Sequence, residues 1–229
     1  MFKELQKLFQ RKGLVEQALE ESYQMLEIDW EMFNAAKKSL RESETADVDI
    51  DVDETDIQIN KFERNVRKKV LTHLAVHDAS DLNISLILIN IINDIERIGD
   101  YTKNIVTLAQ NHPGKLQISI EDWEEDLQHI EETIDRNFGV LIDALKNFDT
   151  DKANQLLDEL WKIKKTCSRY VAATIANDLE IKTSDAVAIA LYMRYLKWIA
   201  SHLMNIATSI VNPFHKIGYR TKKVVEEVS

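Results

Sequence analysis

Glu96 and Asp100 lie in the stretch NDIERIGDYTKNI (93–105), at the end of a strongly apolar run, with Gly99 between them and Asn104 following. At about 100° per residue, Glu96, Asp100 and Asn104 share one helical face, one turn apart each. Like charges at i and i+4 cost an isolated helix about 0.2–0.5 kcal/mol, and an interior glycine costs about 1 kcal/mol relative to alanine. Oxygen donors in this pattern suit a hard divalent metal, while an ion pair with Arg97, Lys103 or another helix would meet the same need. The face continues backward through Ile92, Ile89 and Ser85, and Ile87, Ile91, Ile95 and Ile98 make the other side apolar as well. A helix apolar all round is a central, buried one, so these acids should be partly desolvated and demand a partner.

Other chemistry-bearing patterns are weaker. The alternation Asp47, Asp49, Asp51, Asp53 imitates calcium-loop spacing, but Val48, Ile50 and Val52 and the missing glycine mark an acidic connector. His73 and His77 are one turn apart, yet Leu74 stands where a zinc helix of the HExxH type has glutamate, so helix-end or core histidines are expected. Trp30, Trp123, Trp161 and Trp198 are widely scattered and read as bundle packing rather than a stacking platform. Cys167 falls between Lys165 and Arg169 on an expected helix and reads as a packed thiol, not a nucleophile. No Gly-rich phosphate loop, G-x-S-x-G or Cys/His zinc pattern occurs, and Glu-x-x-His is absent; only Asp126 precedes His129 at that spacing. Enzymatic machinery is not visible, and the chain reads as a non-enzyme. A carboxylate-site metalloenzyme on a helical bundle is the alternative.

The elements that would position Glu96 and Asp100 are helices. Five glycines and two prolines in 229 residues leave long stretches without turn signals. Apolar periodicity predicts helices over about 14–40, 56–77, 81–109, 120–148, 151–177 and 184–211. The breaks fall at the acidic stretch 42–56, at 77–80, 111–115, 148–151 and 177–184, where Asp, Ser and Thr can cap helices. The fold class is therefore all-α, in two tandem three-helix bundles. An internal repeat supports the division: IERIGDYTKNIVTLA (95–109) aligns with LKWIASHLMNIATSI (196–210) at an offset of 196 − 95 = 101. Ile98, Asn104 and Ile105 meet Ile199, Asn205 and Ile206, but Glu96 meets Lys197 and Asp100 meets Ser201. The expected domains are 1–112, a first repeat with a short N-terminal segment; 113–212, a degenerate second repeat; and 213–229, a C-terminal tail.

The net charge of −10, from 29 basic and 39 acidic residues, disfavours general nucleic-acid binding. Basic clusters at Arg64, Arg67, Lys68, Lys69 and at Lys216, Arg220, Lys222, Lys223 read as solvated faces. The most apolar window, LNISLILINII (82–92), is too short to span a membrane. The start, MFKELQKLFQRKG, lacks a signal-type apolar core, and a single cysteine makes no internal disulfide. A cytoplasmic protein, peripheral to a membrane at most, is expected.

DLNISLILINIINDIERIGDYTKNI (81–105) resembles the signature of the PhoU family, an E-R-I-G-D-(H/Y)-x-x-N-I pattern matched by Glu96, Arg97, Ile98, Gly99, Asp100, Tyr101, Asn104 and Ile105. KFERNVRKKVLTHL (61–74) looks like the preceding family helix. KWIASHLMNI (197–206) keeps Ala200, His202, Asn205 and Ile206 of the second-repeat pattern and departs at Lys197, Trp198 and Ser201. The resemblance, covering about residues 15 to 212, implies a cytoplasmic negative regulator of phosphate uptake. It would act by contact with a phosphate transporter, ABC-type or sodium-coupled, and with a sensor histidine kinase, usually as a homodimer. It also implies a metal role for Glu96, Asp100 and Asn104, with iron, zinc or another divalent metal as the ion, and one such site rather than two.

Overall fold

The computed structural model describes residues 13–76, 81–112, 114–118, 121–176 and 181–219. Among these, six long helices and one short turn of 3₁₀ helix form the fold: α1 (Leu14–Arg41), α2 (Val52–Val76), α3 (Leu82–Asn111), α4 (Glu121–Asn147), α5 (Thr150–Ala176), α6 (Thr183–Val211) and the 3₁₀ turn Phe214–Lys216. The fold is an all-α bundle, as the periodicity predicts. Each of α1, α2 and α3 packs against the other two, and so does each of α4, α5 and α6. Contacts of α3 with α6 and of α1 with α4 join the two sets.

Each helix forms because its apolar residues recur every three to four positions and can be buried on one side. In α1 the stripe is Ala18, Met25, Leu26, Met32, Phe33, Ala36 and Leu40; in α3 it is Leu88, Ile91, Ile92, Ile95, Ile98, Ile105 and Val106. These join the stripes of α2, α4, α5 and α6 in one continuous core. Burying a Leu, Ile or Phe side chain contributes about 1.5–3 kcal/mol. The central place expected for α3 holds, since α1, α2 and α6 all pack on it.

Helix boundaries follow local capping. The Asp149 carboxylate accepts hydrogen bonds from the amides of Asp151 (3.1 Å) and Lys152 (3.0 Å), starting α5. α2 begins at Val52, four residues before the expected Asp56, because Asp51 accepts the Glu54 amide at 2.9 Å and so caps the helix inside the acidic stretch. Val48, Ile50 and Val52 of that stretch pack against the core, which explains their alternation with solvated aspartates. His73 is buried, its Nε2 2.9 Å from Asp81 Oδ2, so it ties the end of α2 to the start of α3. His77 lies outside the described residues, as do Arg220, Lys222 and Lys223.

The tryptophans divide. Trp30 stacks on Phe138 at 6.4 Å and Trp123 meets Tyr170 edge-on at 4.3 Å, both packed on the core. Trp161 and Trp198 instead stand at the surface, with Lys165 over the first ring and Arg194 over the second. Bundle packing therefore accounts for Trp30 and Trp123 fully and for Trp198 in part, through its contact with Tyr101 on α3.

Candidate functional site

Gly99 on α3 faces both α1 and α2 at close range. A Cβ added there would lie 3.0 Å from Asp29 Oδ1 and 3.1 Å from Ile59 Cδ1. The glycine that looked like a local fault makes room for an acid on α1. Asp29 is fully buried, and neither of its carboxylate oxygens has a hydrogen-bond partner among the described residues. Burial pushes its carboxyl well above the ordinary aspartate value, and the charges of Glu96, Asp100 and Asp56 push it further.

Glu96 and Asp100 are half-buried on α3, and Asn104, one turn on, is exposed. Burial raises the Glu96 carboxyl above its usual range; Asp100, Glu63 and Asp56 add to the rise, and Arg97 opposes it. Arg97 donates from Nη1 to Asp100 Oδ2 at 2.8 Å, and its Nε lies 3.6 Å from Glu96 Oε2. On α2, Glu63 pairs with Arg67 at 2.7 Å and Asp56 with Lys103 at 2.9 Å. Five acids from three helices thus bear on one another, with Arg67, Arg97 and Lys103 around them and Asp29 beneath. Glu96 and Asp100 lie half-buried on one face of α3, with exposed Asn104 at its outer edge. Among the described residues, no group of three or more His, Cys, Asp or Glu is arranged to hold a metal ion as it stands.

Asp29 escaped the sequence reading. Its signal was an acid inside an apolar stripe, between Leu26 and Phe33, where a carboxylate is costly without a compensating partner.

A second polar cluster joins the halves. Asp94 Oδ1 on α3 lies 2.6 Å from His202 Nδ1 and accepts from Asn205 Nδ2 at 3.0 Å, both on α6. Tyr101 stacks on His202 at 5.6 Å and meets Trp198 at 4.7 Å. Asp94, His202 and Asn205, with Asn90, Asn93, Arg97, Ile217 and Gly218, line a cavity of about 300 Å³. Elsewhere, Arg41 at the end of α1 pairs with Glu124 and, at 3.1 Å, with Glu131, which accepts the buried Tyr192 hydroxyl at 2.7 Å. Cys167 is buried, and burial pushes its thiol to about 12, so at neutral pH it carries no thiolate. No described helix is long and apolar enough to cross a membrane.

Comparison with known proteins gives a consistent picture. Residues 14–109, spanning α1 to α3, match the PhoU domain. The chain is 24% identical over 197 residues to the phosphate-specific transport system accessory protein PhoU homolog of Synechocystis sp., covering 79% of this chain and 80% of that one. It is 25% identical over 198 residues to the homolog of the same name from Pseudomonas aeruginosa, covering 79% and 78%. Its fold superposes on the crystal structure of PhoU from Pseudomonas aeruginosa with a TM-score of 0.71 at 24% identity, over 86% of this chain and 95% of that one. The phosphate transport system regulatory protein PhoU from Streptococcus pneumoniae gives 0.66 at 18% identity, over 86% and 91%. The domain match thus coincides with the helices around Asp29, and beyond it the chain is similar over most of its length to PhoU homologs and shares the PhoU helical fold.

Proposed function

We propose that this protein is a negative regulator of phosphate uptake that works by protein contact. Relatives aligned over most of its length are named as accessory proteins of phosphate-specific transport systems. The observation that carries the reading is the signature of α3 packed through Gly99 on buried Asp29, a local feature that bundle formation alone does not require. The partner is a phosphate transporter, ABC-type or sodium-coupled, joined by a sensor histidine kinase, and the protein acts from the cytoplasm as a homodimer.

A divalent metal suits the acids of this site. The two orphaned oxygens of Asp29 and the excess of carboxylate over cation beside Glu96 need positive charge, and all the donors are oxygens. Asp29, Glu96 and Asp100 would hold the ion, with Asn104 at the edge. The ion would supply the charge that lets all three acids stay ionised. Arg97 holds Asp100 in the absence of metal and is the group that must let go.

The test is deletion in the native host at high phosphate, complemented with the parent or with Glu96→Ala/Asp100→Ala. Deletion should raise phosphate uptake and phosphate-responsive transcription, and the parent should restore both. Unchanged uptake and transcription on deletion would overturn the regulatory reading. Elemental analysis of the purified double variant should show loss of bound iron or zinc, and metal retained there would move the site elsewhere.

A further inference from the structure

The outer face of α6 carries a line of exposed apolar and aromatic side chains. Val187, Leu191, Arg194 and Trp198 follow one another at steps of four, three and four residues. At about 100° and 1.5 Å per residue, that spacing holds them on one face over about 16 Å. Val187, Leu191 and Trp198 are 53%, 38% and 36% exposed, and Arg194 is exposed with them. Steps of four and three are the ones by which two helices meet along a seam. Trp198 is held in place: its ring lies 4.7 Å from Tyr101 on α3 and 6.3 Å from Tyr195, and the Arg194 guanidinium stands 5.5 Å from its centre. Three rings, one guanidinium and two aliphatic side chains thus form a single surface.

The matching stripe of the first half is built differently. At the repeat offset of 101, Leu191, Arg194 and Trp198 fall on Asn90, Asn93 and Arg97 of α3. Those three line the cavity of about 300 Å³, where Ile217 and Gly218 of the segment after α6 join them. The polar stripe is met by the chain itself, and its apolar counterpart on α6 has no such cover among the described residues. The charge is distinctive too. In a chain of net charge −10, residues 186–219 contain neither Asp nor Glu. Asp94 and Glu131, which reach α6 from α3 and α4, are taken up by His202 and Asn205 and by Arg41 and Tyr192. Among the described residues Arg194 pairs with no carboxylate and rests on the Trp198 ring alone.

We propose that the stripe Val187, Leu191, Arg194 and Trp198 is a docking surface for an acidic amphipathic helix of a partner protein. The partner's apolar residues recur at steps of three and four and cover Val187, Leu191 and Trp198, and an Asp or Glu on it meets Arg194. Trp and Arg are the residue types that most often anchor protein contacts, and covering the pair excludes water from the charge-assisted bond. A second copy of this chain fits badly, because its own acid-free stripe would bring cation to cation. An anionic bilayer fits badly as well: it is broad enough to meet the whole net charge of −10, whereas one helix meets only the local guanidinium within a Debye length of about 8 Å. The surface lies apart from the acids around Gly99 and does not depend on what they hold.

The test is photo-crosslinking of the full chain in the native host, with benzoylphenylalanine replacing Leu191 and, as a control, replacing Ile57, which is exposed on α2. Mass spectrometry then sequences the captured segment. At Leu191 it should be a stretch of another protein with apolar residues at steps of three and four and an Asp or Glu beside them, and the Ile57 position should not capture it. Arg194→Glu should cut the adduct at least tenfold, while Arg194→Lys keeps it. Changing the captured segment's acid to Lys should restore the adduct with Arg194→Glu. Val187→Glu, at the far end of the stripe, should also cut the adduct, so the loss does not hang on the contact between Arg194 and Trp198. Both Glu variants alter exposed side chains, and their thermal midpoints should stay close to the parent's. An adduct with a second copy of this chain, with lipid or with a segment lacking acids would overturn the proposal, as would no adduct at Leu191 or one undiminished by Arg194→Glu. The adduct is read without any phosphate phenotype, so this surface and the regulatory reading fail separately.

Discussion

The helices α1–α3 and α4–α6 share an apolar frame and differ in what lies on it. Around Gly99 the first set gathers Asp29, Asp56, Glu63, Glu96 and Asp100. At equivalent places the second set has Ala200, Lys164, Lys197 and Ser201. The α1 stripe maps onto α4 at an offset of 137 − 29 = 108, carrying buried Ser22, Met25, Leu26, Phe33 and Ala36 onto buried Ile130, Thr133, Ile134, Leu141 and Ala144. At that offset Asp29 falls on Asn137, also buried. The fold thus tolerates acid, amide or base at these positions provided the apolar stripes persist. Packing specifies the bundle, and the polar positions are free to specialise.

Exchanging residues between the halves probes this directly. The largest effect should come from Asn137→Asp. The Asn137 amide donates to the Thr133 carbonyl at 2.7 Å and to Glu159 Oε2 at 3.0 Å. A carboxylate there would face two acceptors and lose both bonds, costing about 3–5 kcal/mol, comparable to breaking a buried charged pair. Urea denaturation at neutral pH measures it, and a loss under about 1 kcal/mol would show that the two positions are interchangeable.

Gly99→Ala comes next. Its Cβ would press on Asp29 and Ile59, and overpacking of this kind costs about 1–3 kcal/mol, partly offset by about 1 kcal/mol of helix propensity. A net loss of about 1 kcal/mol is expected in thermal denaturation, together with weaker binding of divalent cation. The reverse exchange, Ala200→Gly, should lose about 1 kcal/mol through propensity alone.

Asp29→Asn gives a smaller change with a defined pH dependence. The folded-state pKa of Asp29 is raised, so the native state holds its proton more tightly than the unfolded chain does. That contribution is fully present below the unfolded aspartate value of about 3.9 and is lost as pH rises through the folded value. With chelator present, the parent should lose stability as pH rises from about 4, and Asp29→Asn should show a flatter profile and greater stability at pH 7. Parallel profiles would show that Asp29 is already neutralised by another group.

The smallest effect belongs to Arg67→Ser, which installs the residue found at Ser168. Arg67 pairs with Glu63 near the surface, and such pairs contribute about 0–1 kcal/mol. Denaturant titration should show a loss within that range, shrinking as salt is added.

Periodicity made the six helices legible, with most ends within a residue or two. The start of α2 was misplaced because the cap lies inside an alternating stretch that reads as connector until Asp51 is seen accepting the Glu54 amide. Glu96 and Asp100 were legible because a helix puts i and i+4 on one face. Asp29 was not, because its role depends on α1 lying against α3, a register that local pattern does not specify. The Asp94 contact with His202, 108 residues away in sequence, was hidden for the same reason.

Arg41 has a consequence for how the molecule comes apart. One guanidinium at the last residue of α1 reaches Glu124 and Glu131 on α4, and Glu131 in turn holds Tyr192 on α6. Fraying the end of α1 therefore leaves a buried acid without its cation, so the termini of helices from opposite halves cannot open independently. The slowest-exchanging amides should be found in both halves and exchange by a common global opening, and heat should melt the chain in a single transition rather than half by half.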